Sequence, residues 1–303
     1  MIALAVALAV LIGVTLGLLG GGGSILAVPL LVYVAGMDAK EAIATSLLVV
    51  GVTSAVALVP HARAGRVRWR TGLLFGAAGM VGAYVGGRLA EFVSGQVLLA
   101  AFALMMLATA AAMIRGRRSP DRPAHTEVPV ARVLLDGVVV GLVTGLVGAG
   151  GGFLIVPALV LLGGVPMPVA VGTSLLVIAM KSFAGLAGYL ASVTIDWPVA
   201  LMVTAAAVVG SLVGSRLTGV VHPETLRKAF GWFVVAMGVL VLVQQVPAGL
   251  AGQPWFWPTT VAALAAAGAV VVLLRRRSAR AAVEHPPADE QLLDLDREKD
   301  HQG

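Results

Sequence analysis

The chain has 303 residues, of which 59% are hydrophobic and 12% are charged, and its mean hydropathy is +0.97. Soluble domains carry about 25% charged residues, so this chain cannot cover itself with a polar surface and is predicted to be a polytopic membrane protein. The net charge of +6 does not indicate nucleic-acid binding, because the arginines lie in short loops between apolar segments and only 5% of the residues are aromatic. The absence of cysteine excludes disulfides, thiolate metal sites and cysteine nucleophiles.

The sequence repeats itself at an offset of 128 residues, which pairs Gly17 with Gly145. The segment GLLGGGGSILAVPLL matches GLVGAGGGFLIVPALV, and AIATSLLVV matches AVGTSLLVI. We therefore predict two homologous transmembrane halves, residues 1–114 and 131–246. The remaining parts are a cytoplasmic linker at 115–130, a final transmembrane helix at 254–274 and a disordered cytoplasmic tail at 275–303.

Each half begins with an apolar stretch that glycines interrupt, at 1–36 and at 131–163. Three continuous apolar stretches follow, and each has about the 20 residues that cross a bilayer as a helix. They lie at 42–60, 71–90 and 94–114, and at 170–190, 197–219 and 225–246. The predicted fold class is an all-α polytopic membrane protein with two inverted-topology repeats. Each repeat is expected to contain a glycine-broken helical hairpin and three transmembrane helices, with one extra helix at the C-terminus.

The basic residues predict the orientation of the halves. The loop at 61–70 is strongly basic, whereas its counterpart at 189–198 has no basic residue. The reverse holds for 217–228, which is basic, and its neutral counterpart at 89–96. Because basic loops stay in the cytoplasm, equivalent loops are predicted on opposite sides, as in an inverted-topology repeat. Each broken segment is then expected to start and end on one side of the membrane, and the C-terminus to be cytoplasmic.

Two glycine clusters interrupt the chain at equivalent places in the halves. Irregular backbone survives at membrane depth only where protein buries it or where it lines a cavity, and paired breaks in inverted halves indicate a transport site. The helix after each break would offer free N–H groups and a positive dipole end to an anion, with Ser24 as an N-cap. The predicted substrate contacts are Gly20, Gly22, Gly23, Ser24, Gly148, Gly150, Gly151 and Gly152.

Glycine pairs spaced four residues apart have a different interpretation. Small residues at this spacing let membrane helices pack closely. We expect helix packing, not substrate binding, at Gly13 and Gly17, Gly82 and Gly86, Gly141 and Gly145, and Gly210 and Gly214.

Two hydroxyl pairs also recur, Thr45 with Ser46 and Thr173 with Ser174. Each lies near the start of a predicted helix. Their hydroxyls can bond a carbonyl on their own helix, cap a helix end or reach a substrate. Because the pairs recur near the glycine clusters, we include all four residues in the predicted site.

Lys181 lies inside VIAMKSFAGL, near the middle of a predicted span. A lysine at that depth is costly and suggests a function by default. It would supply a positive charge for an anionic substrate; the alternatives are a lysine that faces a backbone C-terminus and a side chain that snorkels to the interface. Its repeat partner is Thr53, so the predicted site is asymmetric.

The sequence contains no motif that indicates catalysis or cofactor binding. The acidic residues near the spans, Asp38, Glu41, Glu91 and Asp196, fall at predicted helix ends or in loops, so we see no proton relay or acid–base pair. HExxH, P-loop and GxSxG motifs are absent from the sequence. We predict no enzyme, cofactor or metal site, and expect a secondary transporter. A membrane scaffold without transport activity is the alternative.

The duplicated glycine-rich and ATSLLV-type motifs resemble the TauE/SafE family of sulfite-exporter-like permeases over residues 5–246. The resemblance implies a multi-pass protein of the cell membrane that moves a small sulfur oxyanion, such as sulfite, a sulfonate or sulfoacetate. Alternating access is the expected mechanism. The expected partners are the anion and the lipid bilayer. The sequence leaves open the coupling ion, a proton or sodium, and whether the chain forms a homo-oligomer.

Overall fold

The computed structural model describes residues 2–19, 22–115, 130–148, 155, 167–217 and 223–245. These residues are helical or lie in short turns, and no strand occurs among them. The predicted helical class is therefore confirmed. The greater part of the second glycine cluster, the linker, the final apolar segment and the tail lie outside the described residues.

The helices follow the predicted order in both halves. The first half contains α1 (Ile2–Leu19), a 3-10 helix (Gly22–Leu26), α2 (Ala27–Tyr33), α3 (Ala39–Arg63), α4 (Trp69–Leu89), a second 3-10 helix (Ala90–Phe92) and α5 (Gly95–Arg115). The second half contains α6 (Val130–Val147), α7 (Met167–Tyr189), α8 (Trp197–Leu217) and α9 (Pro223–Gln244). Among the described helices, four are long and apolar enough to cross a membrane: α3, α4, α7 and α8. These four form two repeat-equivalent pairs.

The first glycine cluster reverses the chain. After α1 ends at Leu19, the 3-10 helix lies back against α1, so that a Cβ added to Gly23 would lie 2.6 Å from the Ile12 carbonyl oxygen and from the Leu16 nitrogen. Only glycine permits this approach. The arms of this hairpin are unequal, however, since α1 has 18 residues and α2 has seven.

The N-cap prediction for Ser24 is wrong. Ser24 lies inside the 3-10 helix, and the N-cap of α2 is Leu26, which has an αR backbone and no side-chain cap bond. The glycines allow a tight 3-10 turn to lead directly into α2, so no extended residue precedes the α-helix for a hydroxyl to cap.

The glycine pairs form two equivalent helix contacts, α4 with α6 and α1 with α8. A Cβ added to Gly82 of α4 would lie 2.1 Å from the carbonyl oxygen of Val138 in α6. Likewise, a Cβ added to Gly210 of α8 would lie 2.0 Å from the carbonyl oxygen of Val10 in α1. The contacts are reciprocal, because Gly141 meets the Gly79 carbonyl oxygen. The packing prediction for these glycines is confirmed. We call the two contacts the glycine seams.

The helices α3 and α7 pack against each other. Gly51 contacts Ser182, whereas Leu47, earlier in α3, meets Gly185, later in α7. The contacts therefore progress in opposite order, and these two equivalent helices run antiparallel. Helix α4 also packs on α7, α8 packs on α3 in the equivalent way, and α5 packs on α9.

Candidate functional site

A hydrogen bond joins the first half to the glycine cluster of the second. The Ser46 hydroxyl of α3 lies 2.8 Å from the Gly148 carbonyl oxygen, and also 2.8 Å from the Ile43 carbonyl oxygen of its own helix. Gly148 has φ +76°, and a Cβ there would lie 2.3 Å from the Ile43 Cγ2. The structure thus brings together two residues that the sequence assigned to the site, Ser46 and Gly148.

Lys181 is a buried basic residue near the middle of α7. Its side chain is 1% exposed, and its Nζ donates a hydrogen bond of 3.0 Å to the Thr144 hydroxyl of α6. The lysine therefore does not snorkel to the interface. Within the part of the chain that the structure describes, the ion pair that occurs is Arg88 with Glu91 at 3.7 Å, far from this position in the sequence. The ammonium has no carboxylate partner among these residues, and an uncompensated buried charge is costly.

The hydrogen bond from Lys181 to Thr144 relates this lysine to the second glycine cluster. Thr144, its partner, lies four residues before Gly148, and the repeat equivalent of Thr144 is Leu16, just before the first cluster. The second cluster therefore begins about one helical turn after the residue that bonds Lys181.

The two threonines of the hydroxyl pairs have different environments. The Thr173 hydroxyl accepts a hydrogen bond of 3.0 Å from the Arg68 backbone nitrogen and so holds the residue that precedes α4. The equivalent nitrogen, that of Asp196, instead donates to the Glu41 carboxylate at 3.0 Å. Thr45 is fully buried, and its hydroxyl has no partner among the described residues. The Thr173 hydroxyl therefore has a structural role, whereas the hydrogen-bonding capacity of the Thr45 hydroxyl is unused among the described residues.

Three further residues of the predicted site, Ser174, Ser24 and Gly23, are buried. Ser174 is buried and donates to the Val171 carbonyl oxygen at 2.8 Å. Ser24 and Gly23 are buried in the first 3-10 helix, which begins at Gly22. Gly20, Gly150, Gly151 and Gly152 lie outside the described residues.

Several polar residues near the site were not predicted from the sequence. Thr144 holds Lys181, and the Tyr189 hydroxyl donates to the Leu146 carbonyl oxygen at the end of α6. Ser54 and Ser182 are repeat equivalents, and both hydroxyls are buried without a partner among the described residues. In the sequence each is only a hydroxyl residue inside an apolar helix. Such a residue can either contact a ligand or bond to its own helix, and the sequence does not distinguish the two.

Four of the described helices are long and apolar enough to cross a membrane, glycine seams join pairs of helices, and a lysine is buried within the helical protein. These features define a multi-pass helical membrane protein. Among the described residues, no cluster of acidic or histidine side chains could hold a metal ion. The chain belongs to the sulfite exporter TauE/SafE family, whose pattern it matches over residues 5–241. The family is one of membrane transporters and not of enzymes.

Individual relatives lead to the same class. A probable membrane transporter protein of Xylella fastidiosa (strain Temecula1) is 36% identical over 241 residues, covering 77% of this chain and 91% of the relative. The probable membrane transporter protein MJ0441 of Methanocaldococcus jannaschii is 28% identical over 255 residues, covering 78% and 95%. The probable membrane transporter protein YunE of Bacillus subtilis is 27% identical over 270 residues, covering 80% and 97%. No solved structure matches this chain.

Proposed function

We propose that the protein is a secondary transporter for a small anion, a sulfur oxyanion such as sulfite, a sulfonate or sulfoacetate. The observation that carries this proposal is Lys181, a lysine buried in the middle of a membrane-crossing helix and bonded to a neutral hydroxyl. An anion would supply the negative charge that the described residues do not. The family description, sulfite exporter, supports a sulfur oxyanion.

The substrate would lie between the two glycine clusters, within reach of Lys181 and of hydroxyls on α3. Ser46 already contacts Gly148, and the Thr45 hydroxyl is unpartnered among the described residues. Glycines bring backbone N–H groups close to a ligand. The proposed contacts in the second cluster, Gly150 to Gly152, complete the site.

Alternating access would come from two halves with inverted topology. The antiparallel contact of the equivalent helices α3 and α7 supports this arrangement, as do the two reciprocal glycine seams. The basic loop at 61–70 and the arginines at 275–280 support a cytoplasmic C-terminus.

The function is tested by uptake of [35S]sulfite into proteoliposomes that contain the purified protein. We expect uptake above that of protein-free liposomes, and competition by unlabelled sulfite, methanesulfonate or sulfoacetate according to the true substrate. A matched phosphate competitor should have little effect. If none of these sulfur oxyanions is taken up and none raises the thermal stability of the protein, the proposed substrate class is wrong.

A further inference from the structure

The surroundings of Lys181 differ from their repeat equivalents at three positions together. Where the second half has Lys181 and Thr144, the first half has Thr53 and Leu16. The helix α4 that packs on Lys181 carries Gly79, and the equivalent residue in α8 is Ala207. The three differences concern the volume beside the lysine stem and the acceptor for its amine.

Gly79 provides the volume that the lysine side chain needs. A Cβ added to Gly79 would lie 2.6 Å from Cδ and 2.9 Å from Cγ of Lys181, so an alanine would displace the aliphatic stem. At the equivalent place the shorter Thr53 donates to the Val49 carbonyl oxygen of its own helix. The residue equivalent to Gly79, Ala207, is buried.

Thr144 fixes the direction of the ammonium. The Thr144 hydroxyl proton is donated to the Val140 carbonyl oxygen at 2.7 Å, so the hydroxyl oxygen is left as an acceptor toward Lys181 Nζ. In the first half, Leu16 is buried in an apolar cluster with Val50 and offers no acceptor. The first half therefore lacks both the acceptor and the glycine that accompany Lys181 in the second half.

The ammonium retains hydrogen-bonding capacity. An ammonium group has three N–H donors, and Thr144 is the acceptor for one of them. No other acceptor for Lys181 occurs among the described residues, and the charge has no carboxylate partner there. In its protonated form the Lys181 amine therefore offers two further donors and one positive charge in a fixed place, which suits an oxyanion with two free oxygens.

We infer that Lys181, Thr144 and Gly79 form one anion-holding centre, present in the second half only, so that each chain binds a single anion asymmetrically. This inference, which depends on the proposed function, assigns Thr144 as a positioning residue and Gly79 as the residue that gives the lysine its space. We call the three residues the Lys181 centre.

The experiment measures equilibrium binding of [35S]sulfite to the purified full-length protein in detergent, with Lys181→Met, Thr144→Val and Thr144→Ser variants. We expect one site per chain, and loss of about 100-fold or more in affinity for Lys181→Met, because the removed interaction is charge-assisted. Thr144→Val should weaken binding by about 10- to 100-fold, since a hydrogen bond to a charged group is lost. Thr144→Ser retains the acceptor and should bind within about threefold of wild type.

Two comparisons separate positioning from packing. Thr109→Val removes a buried hydroxyl that bonds to its own helix, at Met105, but is not bonded to a lysine, so binding should not change. In a Lys181→Met background, Thr144→Val should cause no further loss, because it acts through the ammonium.

The outcomes are distinguishable. If the wild-type protein neither binds nor takes up sulfite, methanesulfonate or sulfoacetate, the proposed function itself is wrong. Wild-type uptake together with unchanged binding in Lys181→Met or Thr144→Val would overturn the Lys181 centre alone. Two equal sites per chain, or a loss as large in Thr109→Val as in Thr144→Val, would also overturn it.

Discussion

The hydroxyl of Ser46 on α3 lies 2.8 Å from the carbonyl oxygen of Gly148, which follows α6 in the other half. The bond links a membrane-crossing helix of one half to the bend of the other. The end of α6 is therefore tied to α3 through this contact.

Replacing Ser46 by alanine should leave the buried Gly148 carbonyl without this donor and lower the free energy of unfolding by about 1–3 kcal/mol. Sulfite uptake should fall with it, because the bend is no longer held on α3. Thermal unfolding in detergent and proteoliposome flux are the measurements. Ser211→Ala is the control, since Ser211 bonds only to its own helix at Val208 among the described contacts; an equal loss there would contradict the prediction.

Replacing Gly148 by alanine should be more damaging than replacing Gly36. Both glycines have positive φ, +76° and +75°, so alanine at either position should lower the free energy of unfolding by about 1–2 kcal/mol because of the left-handed backbone. At Gly148 the new Cβ also meets Ile43, which adds about 1–3 kcal/mol, whereas Gly36 has open space. Thermal unfolding of the two variants gives the difference. Equal destabilisation would mean that α3 does not confine the bend.

The glycine seams predict strong position dependence along α4. Gly82→Val should destabilise the protein by about 3 kcal/mol or more, because its side chain would meet the Val138 backbone and not a flexible side chain. Ala77→Val, an equally large change at an exposed position of the same helix, should be close to neutral. The yield of monodisperse protein and its unfolding temperature test this. Tolerance of valine at Gly82 would show that α4 and α6 are not in backbone contact.

The paired threonines should separate stability from transport. Thr173→Val removes the acceptor for the Arg68 nitrogen and should cost about 1–2 kcal/mol. Thr45→Val keeps the shape of an unpartnered buried residue, so stability should be unchanged or slightly higher. If Thr45 binds substrate, this variant should nevertheless raise the KM for sulfite. An unchanged KM would remove Thr45 from the site.

Single cysteines can test the inverted topology directly, because the natural chain has none. Ala64 and Ala191 are both exposed, in the loops that follow the equivalent helices α3 and α7. We expect Ala64→Cys to react with a membrane-impermeant maleimide only from the cytoplasmic side and Ala191→Cys only from the opposite side. Labelling of both from one side would exclude inverted halves.

The sequence predicted the helices well because length and apolar character are properties of local segments. The repeat also predicted which helices are equivalent, and the glycine spacing predicted close packing at Gly82 and Gly210. It did not predict which helix each glycine meets, since the partner of α1 is not a neighbour in the sequence but α8. Such choices depend on tertiary contacts that no local pattern contains.

The candidate site was predicted less completely. Lys181 stood out because a charge is rare at that depth, but Thr144 is one of many hydroxyls in apolar helices, and its role depends on facing the lysine. The equivalence of Thr45 and Thr173 suggested one role for both. By analogy with Thr173, Thr45 would be expected to accept a hydrogen bond from the Asp196 nitrogen, but Glu41, one helical turn earlier, accepts it. Which of the two residues accepts this bond depends on side-chain geometry.

The two glycine seams are equivalent in the finished protein but not in the order of synthesis. Helix α6 leaves the ribosome after α4, so its partner already exists when Gly141 and Gly145 enter the membrane. Helix α1 is made first, and its partner α8 is not complete until residue 217. The glycine face of α1 is thus without its partner during most of translation, and closure of this seam is a late, long-range event in assembly.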